Sequence, residues 1–298
     1  MHLGLRRLGR GLCTSSSATL AVLRLPTTVF PLHCVSLPVV EASLHERPPD
    51  GCLTADQANE IGGKHGGKLA LLAQGALTGV EVDVLAPSAG VDRERWAPGG
   101  ARDEGGGWEP GMIVHAVGGR RLRLLQTGER TAAAIRLASF ERVEDDELVA
   151  AGRQRALDDE VALARALLEA SSERGGVFEL LLCTLDEEVG MPDVHPASHP
   201  LFLRHAAQPD DPTDLAFWLS ARLPLTTALR HHLLAVTCPL KRMVDVVDAM
   251  RLLLEPSKAA RGSKLRIVYD TAEASGCELE PPRMIVDWSA GENEPSRY

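Results

Sequence analysis

Apolar and polar positions recur with two different periods along this chain, and the change of period divides it. In Gly79 to Leu85, Val80, Val82 and Val84 alternate with Glu81 and Asp83, the pattern of a strand with one buried face. Lys68 to Gln74 and Ala132 to Glu144 read as further strands. Leu25 to Val40 is β-branched and apolar but broken by Pro26, Pro31 and Pro38, which suits short edge or bulged strands. From Met112 to Leu125 two apolar runs flank Gly118-Gly119, a pair that predicts a hairpin turn. After Asp145 the period lengthens. Leu157, Val161, Ala164 and Leu168 fall on one helical stripe that stops near Gly175-Gly176. Asp211-Pro212 predicts a helix start, because Asp211 can cap free amides and Pro212 stands where its missing N–H costs nothing. Leu215, Trp218 and Leu219 share a face of that helix. A second helix is expected over Thr226 to Val236, and a third from Pro239 with Leu240, Met243, Val244, Val247 and Leu254 on one stripe. The expected fold class is α+β: a small twisted, partly closed antiparallel β-sheet followed by a compact helical bundle.

Composition narrows the function classes. The chain has 298 residues, 44% of them hydrophobic, enough for a core. A net charge of -9 argues against a nucleic-acid or anionic-membrane surface, and no apolar run approaches the roughly 20 residues of a membrane span. Cys13, Cys34, Cys52, Cys183, Cys238 and Cys277 are scattered without C-x-x-C spacing, so reduced cysteines are expected rather than a disulfide framework or zinc site.

Residues 1–24 differ from the rest. Arg6, Arg7, Arg10 and Arg24 all precede the first acidic residue, Glu41, and Ser15 to Ser17 follow a stretch that would be amphipathic as a helix. This is transit-peptide chemistry; the arginines interrupt the apolar core that a secretory signal needs. A mitochondrial or chloroplast location is expected, with a cytoplasmic protein as the alternative. Residues 25–145 then form the β-rich part, with an inserted flexible loop over 87–111 carrying Gly99, Gly100, Gly105, Gly106 and Gly107. Trp96 and Trp108 in that loop are either anchors or exposed contact residues. Its glycines are not followed by the Lys-Ser/Thr of a phosphate loop. Residues 146–255 form the helical part. Residues 256–298 form a C-terminal extension whose apolar runs, Leu265 to Tyr269 and Met284 to Trp288, fit either a docked hairpin or a partner-binding tail.

Order and residues together resemble a known family. The segment from Asp211 to Met250 is similar to the helical subdomain of Lon protease N-terminal domains, with Asp211, Pro212, Ala221, Leu223, Leu233, Leu234, Arg242 and Met243 at the matching positions. Val29 to Pro31 and Leu37 to Glu41 resemble that family's opening Phe-Pro and Leu-Pro strands, and Gly118 to Leu125 resembles its Gly-x-x-Arg-Phe-Arg-Ile strand. Leu32 stands where the family has a glycine. The resemblance spans residues 23–255 and reaches, more distantly, the Lon-like half of cereblon-type ubiquitin-ligase receptors. It implies a stand-alone binding module: in Lon proteases this domain engages unfolded substrates and aids assembly, while ATP hydrolysis and peptide cleavage lie in downstream domains.

Other candidate chemistry is thin. His195 and His199 have a helical metal-ligand spacing, but Pro196 and Pro200 oppose the helix, so exposed loop histidines are expected. His231 and His232 are adjacent on a helix and point about 100° apart, so they cannot chelate together; one should be at the surface and the other partly buried. The run Glu144, Asp145, Asp146 and Glu147 reads as a solvated helix start favoured by the helix dipole. No catalytic, metal or cofactor-binding residue is assigned, and the protein-binding residues are left open. The expected function is non-catalytic binding of unfolded or client proteins in protein quality control or proteolysis, with a protease or ATPase as a candidate partner. Its affinity should come from apolar contact. The alternatives are a ubiquitin-ligase substrate adaptor and a small hydrolase or transferase with an unrecognised site.

The leader generates a test. Residues 1–24 fused to a reporter should direct it to an organelle in the native host, and Arg6, Arg7 and Arg10 changed to Glu should abolish import; a reporter that stays cytosolic removes the transit reading.

Overall fold

A computed structural model describes residues 18–41, 51–85, 108, 110–148, 151–173, 208–254, 264–270 and 283–288. Its β-rich part contains β1 (Ala18–Leu25), β2 (Cys34–Val40), β3 (Leu53–Thr54), β4 (Lys68–Ala73), β5 (Thr78–Leu85), β6 (Ile113–Arg130) and β7 (Arg136–Arg142). The strands pair in the order β3-β2-β6-β5-β4-β1-β7, and β7 also pairs with β6. That last pairing closes β1, β4, β5, β6 and β7 into a five-membered ring, which leaves them no free edge. The α+β class stands as expected, although β1–β4 and β2–β3 run parallel within an otherwise antiparallel sheet. Side chains alternate between two apolar clusters on opposite faces. Leu20, Ala70, Leu72, Leu122, Ala138 and Phe140 form the smaller one, whereas Ala21, Leu69, Leu71, Val80 and Val82 join the large core that takes in the helices.

Two expectations change here. The boundary between leader and fold does not fall at residue 24, because Ala18–Leu25 lies between β4 and β7 in the ring. Removing residues 1–24 would take out nearly all of that strand; residues 1–17 lie outside the described residues. Nor does Gly118-Gly119 turn a hairpin, since β6 runs straight through it for 18 residues. The glycines serve close backbone approach instead. Gly118 accepts from the Leu32 amide at 2.7 Å and donates to His33 O at 2.8 Å, and a Cβ there would lie 2.1 Å from Phe30 O. Opposite, β5 bulges between Val80 and Val82, so β6 exchanges β2 for β7 along one edge while keeping β5 on the other. Leu32 adopts a φ of 63° in this crossing, the left-handed region that a glycine occupies without strain.

Helix α1 (Ala55–Lys64) escaped the sequence pattern. Only Ala58 and Ile61 are buried along it, and Gly62-Gly63 lowers its propensity. A capping box starts it: Thr54 Oγ1 accepts from the Gln57 amide, and Gln57 Oε1 accepts from the Thr54 amide. The helical part comprises α2 (Ala151–Glu173), α3 (Pro212–Arg222), α4 (Thr227–Ala235) and α5 (Pro239–Leu254). Asp211 caps α3 by accepting from the Thr213 and Asp214 amides at 2.9 and 3.0 Å. Every residue from Leu215 to Arg222 is buried, which makes α3 the central helix. Trp218 is 9% exposed, with the Arg222 guanidinium 4.1 Å above its ring centre.

The C-terminal runs form an antiparallel hairpin of β8 (Leu265–Asp270) and β9 (Arg283–Trp288) that docks on the bundle. Val286 donates to Pro224 O and accepts from the Thr226 amide, while Thr226 Oγ1 donates to Asp287 at 2.9 Å. With Leu265 and Val286 buried, the docked hairpin replaces the free tail as the reading of these strands.

The two halves meet at a carboxylate between two guanidiniums. Asp145 Oδ2 accepts from Arg242 Nη1 and from Thr213 Oγ1, both at 3.0 Å, and Asp145 Oδ1 accepts from Arg121 and Arg242. Arg121 of β6 also donates to Leu234 O and Val236 O, and Arg242 of α5 to Leu233 O and Val236 O. Both cations lie over the Phe217 ring, 5.3 and 4.1 Å from its centre. The acidic run is therefore not simply solvated: Glu144 and Glu147 are exposed, but Asp145 is drawn into the junction, and the run precedes α2 rather than starting it. Burial, then the charge of Arg242, pushes Arg121 down to about 10. For Asp145 burial acts upward, but the hydrogen bonds and charge of Arg242 and the charge of Arg121 outweigh it and hold the carboxyl below its ordinary value.

Removing one partner from such a cluster strands the other buried charges, so Asp145→Asn should destabilise the fold by roughly 3–5 kcal/mol in chemical denaturation. Because the folded pKa is depressed, the contribution of Asp145 is complete above about 3.9, the ordinary carboxylate value, and is lost as pH falls through the lower folded value. The variant should lack that part of the acid-unfolding slope. Trp218→Ala should cost roughly 3–5 kcal/mol; an unchanged melting temperature would mean that the ring contributes nothing to the core.

Candidate binding site

One open cavity lies at the end of the ring where α1 faces the β6–β7 hairpin, with a volume of about 640 Å3. That size is typical of sites for small ligands and short chain segments. Its apolar lining comes from Val22 and Leu23 of β1, Leu53, Ile61 of α1, Leu69, Leu124 and Ile135. Polar groups stand around it: Arg24, Arg130, Arg136, Asp56, Gln57 and Thr127, with the Cys52 thiol also lining it.

Each wall is fixed by local structure. Thr131 to Ile135 closes the β6–β7 hairpin through the Thr131 amide bond to Ile135 O, with Ala134 at a φ of 61°. That loop is tied to α1 by Glu60, whose Oε2 accepts from Thr131 Oγ1 at 2.7 Å and from the Ala133 amide at 3.3 Å. The Thr131 hydroxyl, followed by Lys64, holds the Glu60 carboxyl below its usual range. Trp108, which does not itself line the cavity, packs against α1. Its amide donates to Asn59 Oδ1 at 2.5 Å, its carbonyl accepts from Asn59 Nδ2 at 3.3 Å, and its ring approaches Gly62. Of the two readings for this tryptophan, the anchor is the one observed; Trp96 lies outside the described residues. Arg24 Nη1 donates to Ala73 O and Ala76 O at 3.0 and 2.9 Å, holding that guanidinium at the rim. Nearby the sheet exposes two large apolar side chains, Leu77 and Leu125, on segments joined by the Leu124 amide bond to Leu77 O.

The other sequence candidates do not assemble here. His195 and His199 lie outside the described residues. His231 and His232 are both half-buried rather than divided between surface and interior. His232 Nε2 sits 3.1 Å from Asp245 Oδ2, while His231 Nε2 is buried without a hydrogen-bond partner, and burial lowers its pKa. Arg230, pushed down to about 10 by burial, donates to Leu225 O and Leu223 O within the bundle. Among the described residues no group of three or more His, Cys, Asp or Glu could hold a metal ion, and no helix is long and apolar enough to cross a membrane. Sequence reasoning missed the cavity because its arginines sit on strands whose register was not yet known.

The chain is similar to Lon N-terminal domains. The N-terminal domain of the Mycobacterium avium complex Lon protease aligns at 16% identity with a TM-score of 0.46, covering 78% of this chain and 98% of that one. A Lon N-terminal domain protein from Xanthomonas campestris aligns at 17% identity with a TM-score of 0.39, covering 77% and 97%. No family model and no curated protein sequence matches this one.

Proposed function

We propose that this protein is a non-catalytic binding module that holds unfolded or client polypeptide at the cavity between α1 and the β6–β7 hairpin, in the service of protein quality control or proteolysis. The observation that carries the reading is the make-up of that cavity: apolar side chains and polar groups together line a space open to the surface. Several of those groups are already committed to the fold, Thr54 and Gln57 to the capping box and Arg24 to strand carbonyls. A lining of this kind suits holding a chain segment. The exposed Leu77 and Leu125 extend the apolar contact available to such a segment. The residue-order resemblance to Lon N-terminal domains supports the same reading. An organelle leader is part of the proposal, carried by the residues before Ala18.

The test is binding of a reduced, unfolded model protein to the full chain by anisotropy or pulldown, with and without ATP and chelator. Binding should be unaffected by either addition, and Leu77→Ser with Leu125→Ser should weaken it several-fold without lowering the melting temperature. Dependence on nucleotide or metal would contradict the reading. Absence of binding under every condition would remove the unfolded-protein version and leave a dedicated folded partner.

A further inference from the structure

The β6–β7 hairpin sets two like charges face to face. Arg130 and Arg136 are directly opposed in the strand register, and Arg136 is also opposed to Val22 on β1. Arg24 lies two residues beyond Val22 and so shares its face of the sheet. Three guanidiniums thus converge on one cavity. Among the described residues neither Arg130 nor Arg136 has a carboxylate within ion-pair distance, and Arg24 is bound to carbonyls alone. Among the described residues Asp56, on the α1 side, is the one carboxylate lining the cavity.

Opposed like charges on a strand pair work against folding. A chain with 41 acidic residues and a net charge of -9 has many carboxylates to offer, yet among the described residues three cations and one anion line this space. The arrangement becomes favourable when an external carboxylate enters, because the planar guanidinium fork matches a carboxylate in two parallel hydrogen bonds. Val22, Leu53, Ile61, Leu69, Leu124 and Ile135 supply apolar surface beside the cations, so a purely polar anion would leave that surface unused.

We infer that the cavity selects an extended peptide segment carrying an acidic side chain next to apolar ones, the carboxylate on Arg130 and Arg136 and the apolar residues on the lining. The inference rests on the binding-module reading and names the chemistry of its ligand. It also gives the expected apolar affinity a charged anchor, so that binding of such a segment weakens as salt screens the arginines.

The experiment measures anisotropy of three labelled peptides of equal length on the full chain: one with Leu, Val and two Glu, one with both Glu replaced by Gln, and one keeping the Glu but with Ser for Leu and Val. The first should bind at least about tenfold more tightly than the other two. Arg130→Gln with Arg136→Gln should remove that preference without lowering the melting temperature, since it relieves the opposed charges; Arg130→Lys with Arg136→Lys should retain part of it. Alkylation of Cys52, followed by site-resolved mass spectrometry, should slow when the first peptide is bound, which places it in this cavity. Equal binding of the Glu and Gln peptides, or an unchanged affinity in the Gln double variant, would overturn the inference. So would displacement by octanoate at the peptide's own affinity, which would assign the cavity to small apolar acids. If an unfolded protein still binds while the peptides show no preference, the binding-module reading survives and only the acidic specificity falls; if neither binds, the acidic specificity and the unfolded-protein version fall together.

Discussion

Asp145 is the point on which the two halves of the molecule turn. It sits on the short segment that leads from the β ring to the bundle, and it receives one guanidinium from each half: Arg121 from β6 and Arg242 from α5. Neither arginine would be tolerable in its place without that carboxylate, because both side chains are almost fully buried, at 4% and 0% exposure. Their remaining donors satisfy the carbonyls of Leu233, Leu234 and Val236 where α4 ends, groups that have no further turn of helix to accept from. Phe217, beneath both cations, touches Phe30 at 6.2 Å between ring centres. The junction therefore ties β6, the linker, α3, α4, α5 and the turn before β2 into one body, reinforced by the Asp146 bonds to Thr237.

With the bundle fixed in this way, the opposite end of the ring is free for other use. There the saturation of polar groups stops. The junction arginines are spent on carbonyls and a carboxylate, whereas Arg130 and Arg136 are opposed to each other and open to the cavity. The same residue type is structural in the middle of β6, at Arg121, and available at its end, at Arg130. The difference lies in its partners, not in its chemistry.

Much of the architecture was legible in the sequence because it depends on local periodicity. The strand over Gly79 to Leu85, the Leu157 to Leu168 stripe and the Asp211-Pro212 start all appear as read, since each is decided within a few residues, although Glu81 of that strand is buried along with Val80 and Val82. What failed was decided at a distance. Ala18–Leu25 continues an acid-free stretch that begins with the arginines of the leader, and only its pairing with β4 and β7 makes it a strand. Gly118-Gly119 has the look of a turn, yet Gly118 answers to Phe30 and His33, more than 80 positions upstream, and Gly119 to Glu81 on β5. Asp145 was hidden in a run of four acids, and its partner Arg242 is 97 residues away. For α1 a signal was present, the Thr54 and Gln57 spacing of a capping box, which could have flagged the helix despite its glycines. The arginine pair of the cavity became visible only with the β6–β7 register.

The central claim, that the chain binds polypeptide at the α1 end of the ring and not at the junction, is tested most directly by hydrogen exchange on the full chain with and without a reduced unfolded client. The account predicts slowed exchange in the segments that line the cavity, residues 52–61 and 124–138, with the α3 to α5 bundle unchanged. Protection confined to the bundle, or none at either end while the client is demonstrably bound, would contradict it.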